Sequence, residues 1–206
     1  MATEIEMKLA VSSADLLDRL LKAPSLTQYM KDDYEHRRMR STYYDTADGR
    51  LNQNKWTLRM RDEGGVLVAA FKTQNRGTND GFFTRGEWQC HAESIEEAIP
   101  ALVEQGAPFE LLKILQEQRL QPVCGADFSR TSACLYMDDG VRIEMAGDLG
   151  YLFNGEKKEP ICELELELIY GDAGSLLPIC EELCEEYDLS EESKSKYERA
   201  KALGDN

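Results

Sequence analysis

The stretch Cys162-Glu163-Leu164-Glu165-Leu166-Glu167-Leu168 places three carboxylates at alternate positions and a cysteine and three leucines between them. Side chains alternate across a strand, so a strand here has one acidic face and one apolar face. Like charges side by side on one face destabilise a strand by a few tenths of a kcal/mol or more, so a merely solvated strand has little reason to keep such a row. The same division recurs along the chain. Glu4, Glu6 and Lys8 oppose Ile5, Met7 and Leu9, and Arg59 and Arg61 oppose Leu58 and Met60. Arg85, Glu87 and Gln89 oppose Trp88 and Cys90, and Arg142 and Glu144 oppose Val141, Ile143 and Met145. Lys72 ends one candidate strand and Arg130 opens another. One charged face alone reads as the wet side of an antiparallel sheet. Acids on several strands and cations on several more are explained together by a closed barrel. Its apolar faces point outward under helices and its charged faces line a wet interior. Acids there gather metal and cations gather an anion, which makes a polyphosphate with a divalent metal a natural guest.

The rest of the chain supports this arrangement. Strands are predicted over 3–11, 42–46, 56–62, 66–73, 83–91, 130–137, 141–147 and 161–169, with turn signals at Gly64-Gly65 and Asp138-Asp139-Gly140. A helix starts at Ser12-Ser13-Ala14-Asp15, runs through Leu16, Leu17, Leu20 and Leu21, and stops at Pro24. Further helices are predicted over 94–105, 109–119 and 174–187, and Gly204-Asp205-Asn206 reads as a frayed end. Strands in groups with helices between them make an α+β pattern dominated by an antiparallel sheet. The 206 residues suit one well-buried domain and are short for two, so residues 1–206 are read as a single domain.

Acidic residues outnumber basic ones, 39 to 24, and the net charge of -15 repels nucleic acid and anionic lipid. The sequence shows no signal peptide and no apolar stretch long enough to span a membrane, so the expected compartment is the cytosol. Its six cysteines form no C-x-x-C pair, and His36 and His91 are isolated, so zinc ligation is not expected and the thiols read as buried and reduced. Any metal is expected to be hard and oxygen-bound, Mg2+ or Mn2+. Oligomeric state is not set by these features.

Six ordered elements carry a family resemblance. They are Glu4-x-Glu6-x-Lys8, Tyr43-Tyr44-Asp45-Thr46, Leu58-Arg59-Met60-Arg61, Phe71-Lys72, the acidic strand from Glu159 to Glu167, and Ser195-Lys196-Tyr197-Glu198-Arg199. In this order they resemble the CYTH family, the triphosphate tunnel metalloenzymes, across nearly the whole chain, and most closely its bacterial inorganic triphosphatase branch. The resemblance implies an antiparallel barrel of about eight strands with a polar tunnel. Some members of that branch carry a further C-terminal helical domain; this chain ends too early for one and is expected to be a stand-alone form or an excised domain.

The resemblance also implies divalent-metal-dependent hydrolysis of inorganic triphosphate (tripolyphosphate) to pyrophosphate and phosphate. Lys8, Arg59, Arg61, Lys72, Arg85, Arg130 and Lys196 are assigned to phosphate contact, arginine as a bidentate donor and lysine as a point charge. Glu163 and Glu165 are assigned to a metal that holds the substrate. Glu4, Glu6 and Glu87 are assigned to a second metal or its water, with one of them taking the proton. Asp148 stands where the family has an acid in the tunnel, and Glu144 shares its face if no bulge intervenes; of the two, Asp148 is favoured. Glu167 either extends the tunnel face or sits solvated at its mouth. Arg142 reads as a rim charge, Arg199 as a partner on a C-terminal helix, Arg37, Arg38 and Arg40 as a solvated edge, and Tyr43 and Tyr44 as packing residues. Three other readings fit the scaffold: a class IV adenylate cyclase, a thiamine or nucleoside triphosphatase, and a non-catalytic polyphosphate-binding module. For thiamine the stacking candidates are Trp56 and Trp88, although Trp88 falls on the face opposite Glu87.

Overall fold

Alternation of charged and apolar residues sets the first strand, β1 (Ala2–Ala10), whose Met7 and Leu9 are buried on one face. In this computed structural model the described residues are 2–73, 83–137 and 140–204, with side chains described for all of them except 2, 3 and 83–85. Asp138 and Asp139 of the expected turn, and Asp205 and Asn206 of the expected frayed end, lie outside them.

The further strands are β2 (Glu35–Thr46), β3 (Thr57–Glu63), β4 (Leu67–Lys72), β5 (Phe83–His91), β6 (Leu120–Tyr136), β7 (Arg142–Asn154), β8 (Lys157–Tyr170) and β9 (Ser190–Glu191). They form a nine-stranded sheet in the order β5-β4-β3-β2-β6-β7-β8-β1-β9, and every ladder is antiparallel. One further ladder joins β5 to β1, from Ala2 opposite Glu87 to Glu6 opposite Phe83. Of the closed barrel expected from the sequence, this much is present: a nine-stranded antiparallel sheet with helices outside it, and the β5–β1 pairing.

Helices cover the apolar face. Helix α1 (Ala14–Leu21) is capped by the Ser13 hydroxyl, which accepts from the Leu16 amide, and buries Leu16, Leu17, Leu20 and Leu21. With α2 (Pro24–Thr27) and α6 (Leu176–Tyr187) it packs on Met7, Leu9, Ile143, Met145, Leu164 and Leu166, the apolar face of β1, β7 and β8. On the apolar face of β3, β4 and β5 lie α3 (Arg50–Gln53), α4 (Ile95–Glu104) and α5 (Glu110–Glu117), against Leu58, Phe71 and Trp88. At the end of β2 the buried Asp45 carboxylate accepts from the Thr46, Leu51 and Asn52 amides and ties the strand to α3. Helix α7 (Lys196–Ala202) instead packs Tyr197 and Ala200 against Tyr43, Ala126 and Phe128. No helix among the described residues is long and apolar enough to cross a membrane.

Candidate active site

The register shows which charged residues meet. Directly paired residues share a face. Glu6 pairs with Glu167, Lys8 with Glu165, Asp148 with Glu163 and with Arg130, and Glu144 with Glu167. The only β7–β8 register shift falls between Arg142 and Ile143, so Glu144 and Asp148 do share the acidic face. These faces enclose a cavity lined by Lys8, Arg59, Arg61, Lys72, Arg130 and Lys196, six cations, and by Glu4, Glu6, Glu87, Glu165 and Glu167, five acids. Such a mixture suits a guest that brings both negative and positive charge.

Acids collect at one place. Glu4, Glu6 and Glu167 bring carboxylate oxygens within 4.8 Å of one another, the geometry of a hard-cation site. Burial pushes the Glu167 carboxyl up to about 8, and the Glu4 charge adds to this, with Lys72 opposing. Three crowded, largely buried carboxylates are a fitting donor set for Mg2+ or Mn2+. Glu87, expected to join Glu4 and Glu6, stands beside this group: Lys72 Nζ is 2.6 Å from Glu4 Oε1 and 3.3 Å from Glu87 Oε2. Burial would raise the Glu87 carboxyl, but Lys72, Arg59 and a hydrogen bond from Gln89 together lower it. Glu167, read from sequence as either tunnel or mouth, lies in the group.

Cations collect at another. Burial pushes the Arg61 guanidinium down to about 10, with repulsion from Arg59 and Arg130 behind it, while Glu63 pulls the other way. Arg59 Nε is buried with no hydrogen-bond partner among the described residues. Desolvated cations close enough to repel one another are stabilised by an anion between them. The side chain of Arg85 lies outside the described residues; its backbone pairs with Glu4.

A second acidic group, Asp148, Glu163 and Glu165, also brings carboxylate oxygens within 4.8 Å of one another. Its oxygens are engaged by cations. Arg130 donates to both Asp148 oxygens at 2.8 and 2.7 Å and to Glu165 at 2.5 Å. Lys196 Nζ lies 2.7 Å from Asp148, 2.9 Å from Glu165 and against Glu163. Burial opposes the charge on Glu165, yet Lys196, Arg130 and Lys8 hold its carboxyl well below the usual range. Burial likewise opposes the Lys196 charge, and Asp148, Glu163 and Glu165 raise its pKa. Lys8, buried, lies 3.8 Å from both Glu6 and Glu165. Arg199, set aside in the sequence reading as a helix partner, pairs with Glu163; the only signal for it was the S-K-x-x-R spacing. Glu144, half-buried, is not among the residues lining the cavity, though its charge acts on Arg130.

Other expectations find their places. Trp88 and Trp56 pack with Phe71 on the outer face, so neither indole lines the cavity. Tyr43 packs on Tyr197, 5.3 Å between ring centres, and both line it. Arg38 and Arg40 flank Asp127 on an exposed face, and Arg142 lies over the Tyr170 ring on the surface. His36 and His91 are exposed.

Comparison with known proteins agrees with this geometry. The profile of the CYTH domain matches residues 2–200. An inorganic triphosphatase of Haemophilus influenzae is 32% identical over 208 residues, covering 99% of this chain and 56% of that protein, so the chain spans about half the length of this curated relative. Among solved structures, a Hippeastrum protein reported to have a dominant triphosphatase activity overlays with a TM-score of 0.65 at 17% identity, covering 97% of this chain and 95% of that one. A Pyrococcus horikoshii protein overlays with a TM-score of 0.56 at 14% identity, covering 98% and 99%. These two likenesses show a shared fold. With the profile matched from the first strand to the last helix, the chain belongs to the CYTH domain family.

Proposed function

We propose that this chain hydrolyses inorganic triphosphate to pyrophosphate and phosphate with Mg2+ or Mn2+, inside the charged cavity of this sheet. The carrying observation is the cavity itself, with carboxylates gathered at Glu4, Glu6 and Glu167 and cations at Arg59, Arg61 and Arg130. Tripolyphosphate is highly charged, and its hydrolysis is limited by neutralisation and positioning. Arg59 and Arg61 offer forked donors to phosphate oxygens, and Lys8, Lys72 and Lys196 offer point charges. Glu4, Glu6 and Glu167 would hold the ion, which when bound neutralises phosphate oxygens and makes a water more acidic. A carboxylate of Glu4, Glu6 or Glu87 accepts the proton of the attacking water as the terminal P–O–P bond breaks. Pyrophosphate leaves from the side held by the arginines. With all six cysteines free, we place the protein in the reducing cytosol.

Product analysis tests this. Tripolyphosphate, ATP and thiamine triphosphate are each incubated with Mg2+ or Mn2+ and with chelator. The expected result is phosphate from tripolyphosphate, with metal only. Cyclic AMP from ATP would overturn the reading in favour of a cyclase, and tight binding without phosphate release would favour a binding module.

A further inference from the structure

Asp148 and Glu163 are wholly buried neighbours on one rung of the β7–β8 ladder, and neither lines the cavity. Two adjacent buried carboxylates are costly unless compensated. Compensation here is complete on a formal count: Asp148, Glu163 and Glu165 face Arg130, Lys196 and Arg199. Lys196 and Arg199 both come from α7, a seven-residue helix too short to hold itself in water. It is also held by Tyr197 and Ala200 packed on Tyr43, Ala126 and Phe128, by the Asn154 side-chain amide, which donates to the Ala200 and Lys201 carbonyls at 3.4 and 3.3 Å, and by the contact of Arg199 with Glu192, 3.4 Å. Lys196 Nζ and the Arg130 guanidinium also sit over the Phe128 ring, at 5.0 and 5.8 Å, so both cations are held from two sides.

We propose that Asp148 and Glu163 are positioning residues rather than metal ligands: they fix Lys196 and Arg130 at the cavity wall and, through Arg199, lock α7 in place. This rests on the triphosphatase reading for the identity of the anion those cations meet. Breaking a buried pair leaves an uncompensated charge and frees its partner. Loss of either acid therefore loosens anion binding and leaves the Glu4–Glu6–Glu167 group intact.

The test measures the two ligands separately, without turnover. Mn2+ binding is followed by electron paramagnetic resonance, and tripolyphosphate binding in chelator by calorimetry, for wild type, Asp148→Asn, Glu163→Gln and Arg199→Gln, with Glu6→Gln as the metal-site control. For the first three variants we expect tripolyphosphate affinity to fall about tenfold or more and Mn2+ affinity to stay within about twofold of wild type. Glu6→Gln is expected to lose Mn2+ affinity by about tenfold or more. A comparable Mn2+ loss in Asp148→Asn or Glu163→Gln would make them ligands and overturn the proposal. So would unchanged tripolyphosphate binding in all folded variants. If the buried substitutions fail to fold, Arg199→Gln at the half-buried edge decides alone by the same two readings. Wild-type protein that binds tripolyphosphate without hydrolysing it would sink the activity reading and leave this one standing.

Discussion

Arg59 lines the cavity with its Nε buried and without a hydrogen-bond partner among the described residues, and burial with Arg59's own charge pushes Arg61 down to about 10. An anion is the natural partner for Arg59, whereas Arg61 already donates to Glu63 at 2.6 Å. Arg59→Ala is expected to weaken tripolyphosphate binding by about 10- to 100-fold, and Arg59→Lys to recover part of that as a point charge. Calorimetry and KM check it; wild-type values in Arg59→Ala would mean that its guanidinium does not meet substrate. At Glu167 the folded carboxyl is raised from the ordinary 4.5 to about 8. Between these values the folded state binds the proton more often than the unfolded state, so metal-free stability falls as pH rises through that window and the loss is complete above it. In chelator, Glu167→Gln should therefore gain melting temperature over wild type between about pH 5 and about pH 9. Added Mn2+ should stabilise wild type more at the alkaline end. A wild-type-to-variant difference that does not change with pH would contradict this.

Helix α7 shows how much one short element carries. Ser195 caps it in a capping box with Glu198, whose carboxylate accepts from the Ser195 amide. Ser195→Ala is expected to cost about 1 kcal/mol of stability in denaturant melts, and to raise KM because Lys196 is the next residue. Unchanged stability would mean that the tertiary ion pairs alone fix the helix. Element by element, β1, β3, β4 and β5 were legible within a residue or two, because alternation is a local signal. Strand β6 was not: it begins at Leu120 rather than 130, and its first residues include Pro122 and Gly125. The sheet accommodates Pro122 opposite Tyr44 at a register shift. It needs Gly125 where a Cβ would strike the Phe153 ring and lie 2.7 Å from the Ser41 carbonyl oxygen. Strand β2 begins at Glu35, where its ladder with β6 pairs Glu35 with Ser132, and Arg38 and Arg40 lie against Asp127 across the sheet, a partner no local pattern shows. The site divides the same way. Which face each charge occupies follows from period two, whereas the company of Glu167 depends on its pairing with Glu6, and the role of Arg199 on a helix folding back to β8.

At the scale of the molecule, an acidic chain of net charge -15 concentrates six cations around one cavity and sets acids among them. Long-range repulsion of anions and short-range capture of one coexist because the captured anion is neutralised at contact distance. The sheet positions these charges from six of its nine strands, with one more from α7, which is why a single local motif says little and the ordered set says much. The most direct measurement is a phosphorus NMR time course of tripolyphosphate with Mg2+, for wild type and for Glu6→Gln shown to be folded by circular dichroism. The expected result is equal formation of pyrophosphate and phosphate by wild type and its loss in Glu6→Gln. Hydrolysis that proceeds undiminished in Glu6→Gln, or none by wild type with either metal, would contradict a metal-dependent triphosphate site in this cavity.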